Sequence, residues 1–415
     1  MNHPNFHGLG VAPSILGMLD RQHLTTPTPI QEKAIPPAIE GKDLMGLAQT
    51  GTGKTLAFGI PMIQAALRGK RGLVILPTRE LALQVRETFQ KIGGPLGVRT
   101  ALLVGGESMN RQLRELGARP AIIIGTPGRM IDHLEKHTLD LHAIHMLVLD
   151  EADRMLDMGF APQLKRIFVT IPKERQTMLF SATMPDAILA LAHSYMKLPL
   201  RIEIAPPGTA SGKITQEVFF VAKFDKSRLL EKLLSEYKGS TLVFTRTKFG
   251  AKKIAASVRA FGHTAAELHS NKSLNQRREA LEGFRNGRYR ILVATDIAAR
   301  GIDVKGIELV INYDLPSVAD DYVHRIGRTA RAGAAGHAIS FAEPHQQRDI
   351  RDIERLIRMT LPQSKLPVLP PARSAPVMQR GPLPRHGHNT PRPPYPPRPQ
   401  NRRPPRSRSR QNFPR

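Results

Sequence analysis

AQTGTGKT, residues 48–55, fixes the reading of the chain around it. From its second glycine, Gly53, onward it matches the phosphate-loop pattern, with Ala48 where the general pattern has a glycine. Gly51 and Gly53 let backbone N–H groups turn towards phosphate oxygens, and the helix behind them adds the partial positive charge of its N-terminus. Lys54 is then placed to reach the β- and γ-phosphates of a nucleotide, and the Thr55 hydroxyl to ligate Mg2+. Gln49, Thr50 and Thr52 complete the cradle. A bare glycine-rich turn between strand and helix would not explain GKT (53–55) so soon after LMGLAQ (44–49).

Short apolar runs recur on both sides, separated by stretches of helical length. They are LVIL (73–76), ALLV (101–104), AIII (121–124), MLVL (146–149) and MLF (178–180), then VFFV (218–221), TLVF (241–244), ILVA (291–294), ELVI (308–311) and HAISFA (337–342). Uninterrupted runs of this length imply parallel strands buried on both faces. APPGTASGK (205–213) divides the two sets and has the small-residue composition of a flexible linker. The expected fold is α/β, with two tandem parallel-sheet domains. Ligands of such sheets bind beyond the carboxyl ends of the strands. There the runs are followed by polar clusters: PTRE, GTPGR, DEAD, SAT, TRT and TDIAARGID.

DEAD (150–153) supplies what a phosphate loop lacks. Asp150 is expected to hold Mg2+, largely through water, and Glu151 to polarise the attacking water as general base. In YVHRIGRTAR (322–331), Arg325 and Arg328 are spaced i, i+3, which predicts one helical face. Arginine fingers stabilise charge on a transferring phosphoryl group. The second half has no phosphate loop, so these arginines must act across an interface.

Composition narrows the class further. Lys and Arg number 61 against 35 Asp and Glu, a net charge of +26, which makes a polyanion the first partner to consider. Residues 361–415 hold 12 Lys and Arg, no acid and 16 of the 35 prolines, which predicts a disordered basic tail attracted to phosphate. The absence of cysteine excludes disulfides, thiol catalysis and Cys-ligated metal centres. No apolar run reaches the ~20 residues needed to span a bilayer. HLEKH (133–137) places two histidines at i, i+4, but its glutamate is one position off the zinc-protease pattern, so it is expected to be a solvated helix end.

Residues 6–345 resemble the DEAD-box ATP-dependent RNA helicases, and look most like the short bacterial RhlE-type members. The resemblance implies two RecA-like domains. Phe6 with PTPIQ (27–31) resembles the family's Q motif, which implies that Phe6 packs on adenine and that Thr28 and Gln31 belong to the ATP site. A glutamine amide can pair with adenine N6 and N7 together. By the same resemblance Asp303 meets the ribose, and Ser181 and Thr183 of SAT, with Asp153 and His324, couple hydrolysis to strand separation. RNA contacts are implied for Pro77, Thr78 and Arg79, for Gly105 and Gly106, and for Thr126, Pro127, Gly128 and Arg129. In the second domain they are implied for Thr245, Arg246, Arg277, Thr295 and Arg300. Such contacts hold the sugar-phosphate backbone without reading sequence, and the 2′-hydroxyl favours RNA over DNA. His269-Ser270 and Leu274 depart from the family pattern of HG followed by glutamine, which implies a weakened RNA contact there.

The domain plan is a Q-motif segment (1–33), an ATP-binding domain (34–205), a linker (206–213), a C-terminal helicase domain (214–360) and the tail (361–415). The expected activity is RNA-stimulated ATP hydrolysis that pries short duplexes apart, with ATP and Mg2+ as cofactors. Its expected setting is the cytoplasm, as a monomer without a membrane partner, in ribosome assembly or RNA decay. An ATP-gated RNA clamp and a DNA-directed motor share the same motifs and stay open at this point.

Overall fold

A computed structural model of the chain describes residues 5–48, 51–204, 214–299, 304, 306–330 and 335–371. Among them lie two sheets in which every pairing is parallel. The first contains β1 (Leu44–Leu47), β2 (Arg71–Ile75), β3 (Thr100–Leu103), β4 (Ile122–Gly125), β5 (Ile144–Leu149), β6 (Gln176–Ser181) and β7 (Leu200–Glu203). The second contains β8 (Ile214–Phe220), β9 (Thr241–Phe244), β10 (Ala265–Leu268), β11 (Ile291–Ala294), β12 (Leu309–Asn312) and β13 (Gly336–Ala342). This is the two-sheet α/β architecture expected from the apolar runs.

Both faces of the first sheet are covered. Val74, Val148 and Phe180 pack on one side with Phe58 and Phe89, while Leu73, Ile75, Leu147 and Leu149 pack on the other with Met155 and Leu164. Neighbouring residues of one strand therefore serve opposite cores, which is why these strands read as unbroken apolar runs. Each fully buried side chain of this size contributes about 1.5–3 kcal/mol.

Strand order sorts the polar clusters. In the first sheet the order is β3-β4-β2-β5-β6-β1-β7. The loops after β5, β6 and β1 (DEAD, SAT and the phosphate loop) are thus neighbours at one end, and those after β3, β4 and β2 are neighbours beside them. In the second sheet, ordered β10-β11-β9-β12-β13-β8, the clusters after β11, β9 and β12 adjoin in the same way.

The basic tail was expected to begin at 361, but the chain stays on the sheet as far as Pro371. Val218 of β8, an edge strand, donates its N–H to the Pro362 carbonyl at 2.9 Å and accepts from Ser364 N–H at 3.0 Å. Leu361 is buried, Leu369 packs against the second sheet's core, and Arg228 Nε donates to the Pro370 carbonyl at 2.6 Å. Apolar anchors and an extended, proline-rich backbone make this stretch an edge cover. Residues 372–415, the linker at 206–213, and Gln49, Thr50, Arg300 and Asp303 lie outside the described residues.

Candidate ATP and RNA site

Lys54 opens the helix Lys54–Leu67, and Gly53 caps it in the left-handed conformation at φ 95°. A Cβ at Gly53 would collide with the Gln31 amide nitrogen and stand 2.8 Å from the Thr28 hydroxyl. Gln31 occupies that space: its Oε1 accepts the Thr28 N–H at 2.9 Å and its Nε2 donates to the Gly53 carbonyl at 3.0 Å. Both ends of the amide are therefore engaged by protein, and Gln31 grips the phosphate loop where adenine pairing was expected. Phe6 is 3% exposed, inside the apolar cluster on one face of the first sheet. Ala48 is buried; Gly51, Lys54, Thr55, Asp150 and Glu151 line a cleft of about 400 Å3.

The charge in this cleft is set for a ligand. Lys54 Nζ is buried 3.6 Å from Asp150 Oδ1 and makes no hydrogen bond among the described residues. Burial pushes the Asp150 carboxyl up to about 6 against the pull of Lys54, and Glu151 adds to the rise. A buried ammonium with no hydrogen bond, only loosely paired to a carboxylate raised by burial, fits a phosphate chain carrying a divalent cation. Glu151 sits at φ 53°, a strained setting for a non-glycine residue that recurs at functional sites.

Asp153 ties the DEAD and SAT clusters together. Its Oδ2 accepts from the N–H groups of Ala182 (3.1 Å) and Thr183 (2.9 Å) and from the Thr183 hydroxyl (2.9 Å). Ser181 Oγ accepts the Asp153 N–H at 3.3 Å. Burial would raise this carboxyl, but His324, Lys54 and the Thr183 bonds hold it below its usual value. His324 comes from the second half of the chain. Burial, with Arg154 and Arg328 close by, lowers it to about 3 despite Asp153 and Asp321, so it stays neutral at pH 7.

The two halves also meet through buried ion pairs that the motifs did not announce. Arg154, next to DEAD, pairs with Asp321, and Glu80 of PTREL pairs with Arg277 at 2.9 Å. Arg277, expected on RNA, gives Nη2 to Glu80, while its buried Nε makes no hydrogen bond among the described residues. The only cue in the sequence was a lone charge beside each cluster.

The two candidate fingers differ in setting. The helix Ala319–Ile326 ends before Arg328, with Gly327 as its C-cap, so the arginines do not share a helical face as the spacing predicted. Arg325 is 2% exposed, bidentate to Asp296 at 2.5 and 2.8 Å, and donates to the Asn312 side chain and the Asp314 carbonyl. Its guanidinium lies over the Phe244 ring. Arg328 Nε donates to the His324 carbonyl at 3.2 Å, beside Arg154 and Asp321.

The residues expected on RNA form two groups at the strand ends. Arg79 lies against Gly105 and Gly106, and a Cβ on Gly106 (φ 77°) would strike its guanidinium. Arg129 Nη1 donates to the Glu107 carbonyl at 3.1 Å. Gly106, Gly128 and Arg246 are exposed, whereas Pro77, Thr126, Pro127 and Thr295 are buried. The Thr78 hydroxyl caps its own helix by accepting from Leu81 N–H, and the Thr245 hydroxyl donates to Asp314 at 2.7 Å. Hydroxyls expected on phosphate thus hold the loops that carry the exposed groups. His133 of HLEKH, expected at a solvated helix end, is fully buried between Thr138 and Gln112.

Residues 28–191 match the DEAD/DEAH box helicase family, and residues 225–333 match the helicase conserved C-terminal domain, together more than half of the chain. The chain belongs to the DEAD-box RNA helicase family. This helicase is 42% identical over 369 residues to the ATP-dependent rRNA helicase RRP3 of Debaryomyces hansenii, covering 88% of this chain and 77% of that one. It is 42% identical over 373 residues to the ATP-dependent RNA helicase DeaD of Buchnera aphidicola, covering 88% and 62%. It superposes on S. cerevisiae Dbp5 bound to RNA and ADP BeF3 with a TM-score of 0.79 at 31% identity, over 87% of this chain and 95% of that one. The helicase is an RNA-binding enzyme that depends on ATP, and both RecA-like halves are present.

Proposed function

We propose that this helicase hydrolyses ATP only when its two halves close on nucleotide and RNA together, and that closing bends one strand away from its partner. Asp153 carries the reading: one carboxylate oxygen holds the SAT loop, and His324 of the other half is near enough to act on its charge. Any change at the phosphates that moves DEAD therefore moves SAT and the second half with it. Lys54 binds the β- and γ-phosphates, Thr55 and Asp150 would hold Mg2+, and Glu151 takes the proton of the attacking water. When bound, Mg2+ supplies countercharge to the phosphates. Arg328 stabilises the terminal phosphoryl group from the other side, and Arg325 braces the strand ends that position it. Asp303 would meet the ribose.

On the RNA face we assign backbone contacts to Arg79, Gly105, Gly106, Gly128 and Arg129, which are exposed or half-buried at the adjoining ends of β2, β3 and β4, and to the exposed Arg246 after β9 of the second sheet. We set the domain boundaries at 205 and 213, a reading supported by the end of β7 at Glu203 and the start of β8 at Ile214. The relatives' names support structured ribosomal RNA as substrate, handled by a single chain because both halves of the site come from one polypeptide. Glu151→Gln tests the core of the proposal. It should retain nucleotide binding and lose RNA-stimulated turnover by about 10²-fold or more; retained turnover would remove Glu151 as base.

A further inference from the structure

Leu274 opens the helix Leu274–Arg285 and is 8% exposed, yet it does not belong to the core on either face of the second sheet. It lines a narrow cleft with Leu281 of its own half and Leu83 of the first half, rimmed by charged side chains of both halves, Glu80 and Glu87 on one side and Arg278 and Arg285 on the other. The Glu80–Arg277 pair closes the same seam one helical turn away. Ser273 and Gln276 fix the start of this helix with a reciprocal capping box, so the side chain is held at the seam by a rigid element.

From this arrangement we infer that Leu274 is a positioning residue for closure: it buries against the helix carrying Leu83 and favours the closed form of the two halves before RNA arrives. The inference rests on the proposed closing cycle and adds a term to it. An apolar side chain gains its burial whenever the halves meet, whether or not RNA is present, whereas a polar residue facing RNA gains only when the strand is bound. Leu274 therefore raises the closed population of the RNA-free, ATP-bound enzyme and narrows the stimulation that RNA can give. The side chain becomes accessible when the halves part, so its contribution is to the equilibrium between forms.

The test uses the full chain with one fluorophore on each half, a non-hydrolysable ATP analogue and no RNA. Leu274→Gln should lower the closing constant roughly tenfold, the factor that about 1.4 kcal/mol represents. RNA-free turnover should fall with it, while turnover at saturating single-stranded RNA stays within about twofold. Leu83→Gln should give the same loss, and the double variant should add little to either, as expected of partners in one contact. Unchanged RNA-free closing in Leu274→Gln overturns the inference, as does an effect confined to RNA affinity. A wild-type enzyme that closes on the analogue but shows no RNA-stimulated turnover would instead defeat the proposed function and leave the seam intact.

Discussion

Asp153 and Thr183 are joined twice through one oxygen: Asp153 Oδ2 accepts both the backbone N–H and the hydroxyl of Thr183, each at 2.9 Å. Because the carboxylate is ionised and buried, each bond is worth about 1.5–3 kcal/mol. The SAT loop is thereby fastened to the DEAD turn.

Thr183→Ala removes the hydroxyl and leaves the backbone bond. RNA-stimulated ATP hydrolysis should stay within severalfold of the parent, while unwinding of a short RNA duplex falls at least about tenfold. Parallel measurement of both activities checks this; an equal loss of the two would show that the contact serves chemistry and not transmission.

Closing should release a proton at acidic pH. His324 is held near 3 by burial and by Arg154 and Arg328, against Asp153 and Asp321, and parting of the halves should return it towards the ordinary histidine value of about 6.5. Its contribution to closing is fully present above pH 6.5 and is lost as pH falls towards 3, at about 1.4 kcal/mol per unit. Asp153, held low, shifts closing in the same direction. Closing on ATP analogue and RNA, followed by inter-half fluorescence transfer, should weaken roughly tenfold between pH 7 and 5.5. His324→Asn should flatten much of that slope. Transfer is the proper readout because it follows closing alone, whereas turnover also depends on the acidic groups of the ATP cleft. A flat profile would contradict the burial of His324 in the closed form.

Two truncations separate strap from tail. Ending the chain after Pro371 removes eleven arginines and no acid, which should reduce the salt dependence of RNA binding and leave thermal stability unchanged. Ending it after residue 360 also strips Leu361, Leu369 and the cover of β8, and should lower the melting temperature by several degrees. Equal melting temperatures would mean that the edge cover contributes nothing.

Local patterns carried the fold wherever a strand is buried on both faces. TLVF and ILVA coincide with β9 and β11 residue for residue. β1, β7 and β10 give no such run, for separate reasons. β1 is interrupted by Gly46, β7 is an edge strand with a single buried residue, and β10 carries Glu267 between Ala266 and Leu268. The phosphate loop, DEAD and SAT were legible because each is a contiguous string whose chemistry depends on its own backbone. Glu80–Arg277 and Arg154–Asp321 were not, since each joins residues far apart in the chain that only the approach of two halves brings into contact. The setting of Arg325 was equally hidden: its partner Asp296 and the end of its helix at Ile326 are tertiary facts.

ATP turnover by Arg328→Ala, with and without single-stranded RNA, tests most directly whether one nucleotide is served by both halves. Turnover should fall by about 10³-fold at saturating RNA, with nucleotide affinity within a fewfold of the parent. RNA-stimulated turnover close to the parent's would mean that the second half does not reach the reacting phosphate.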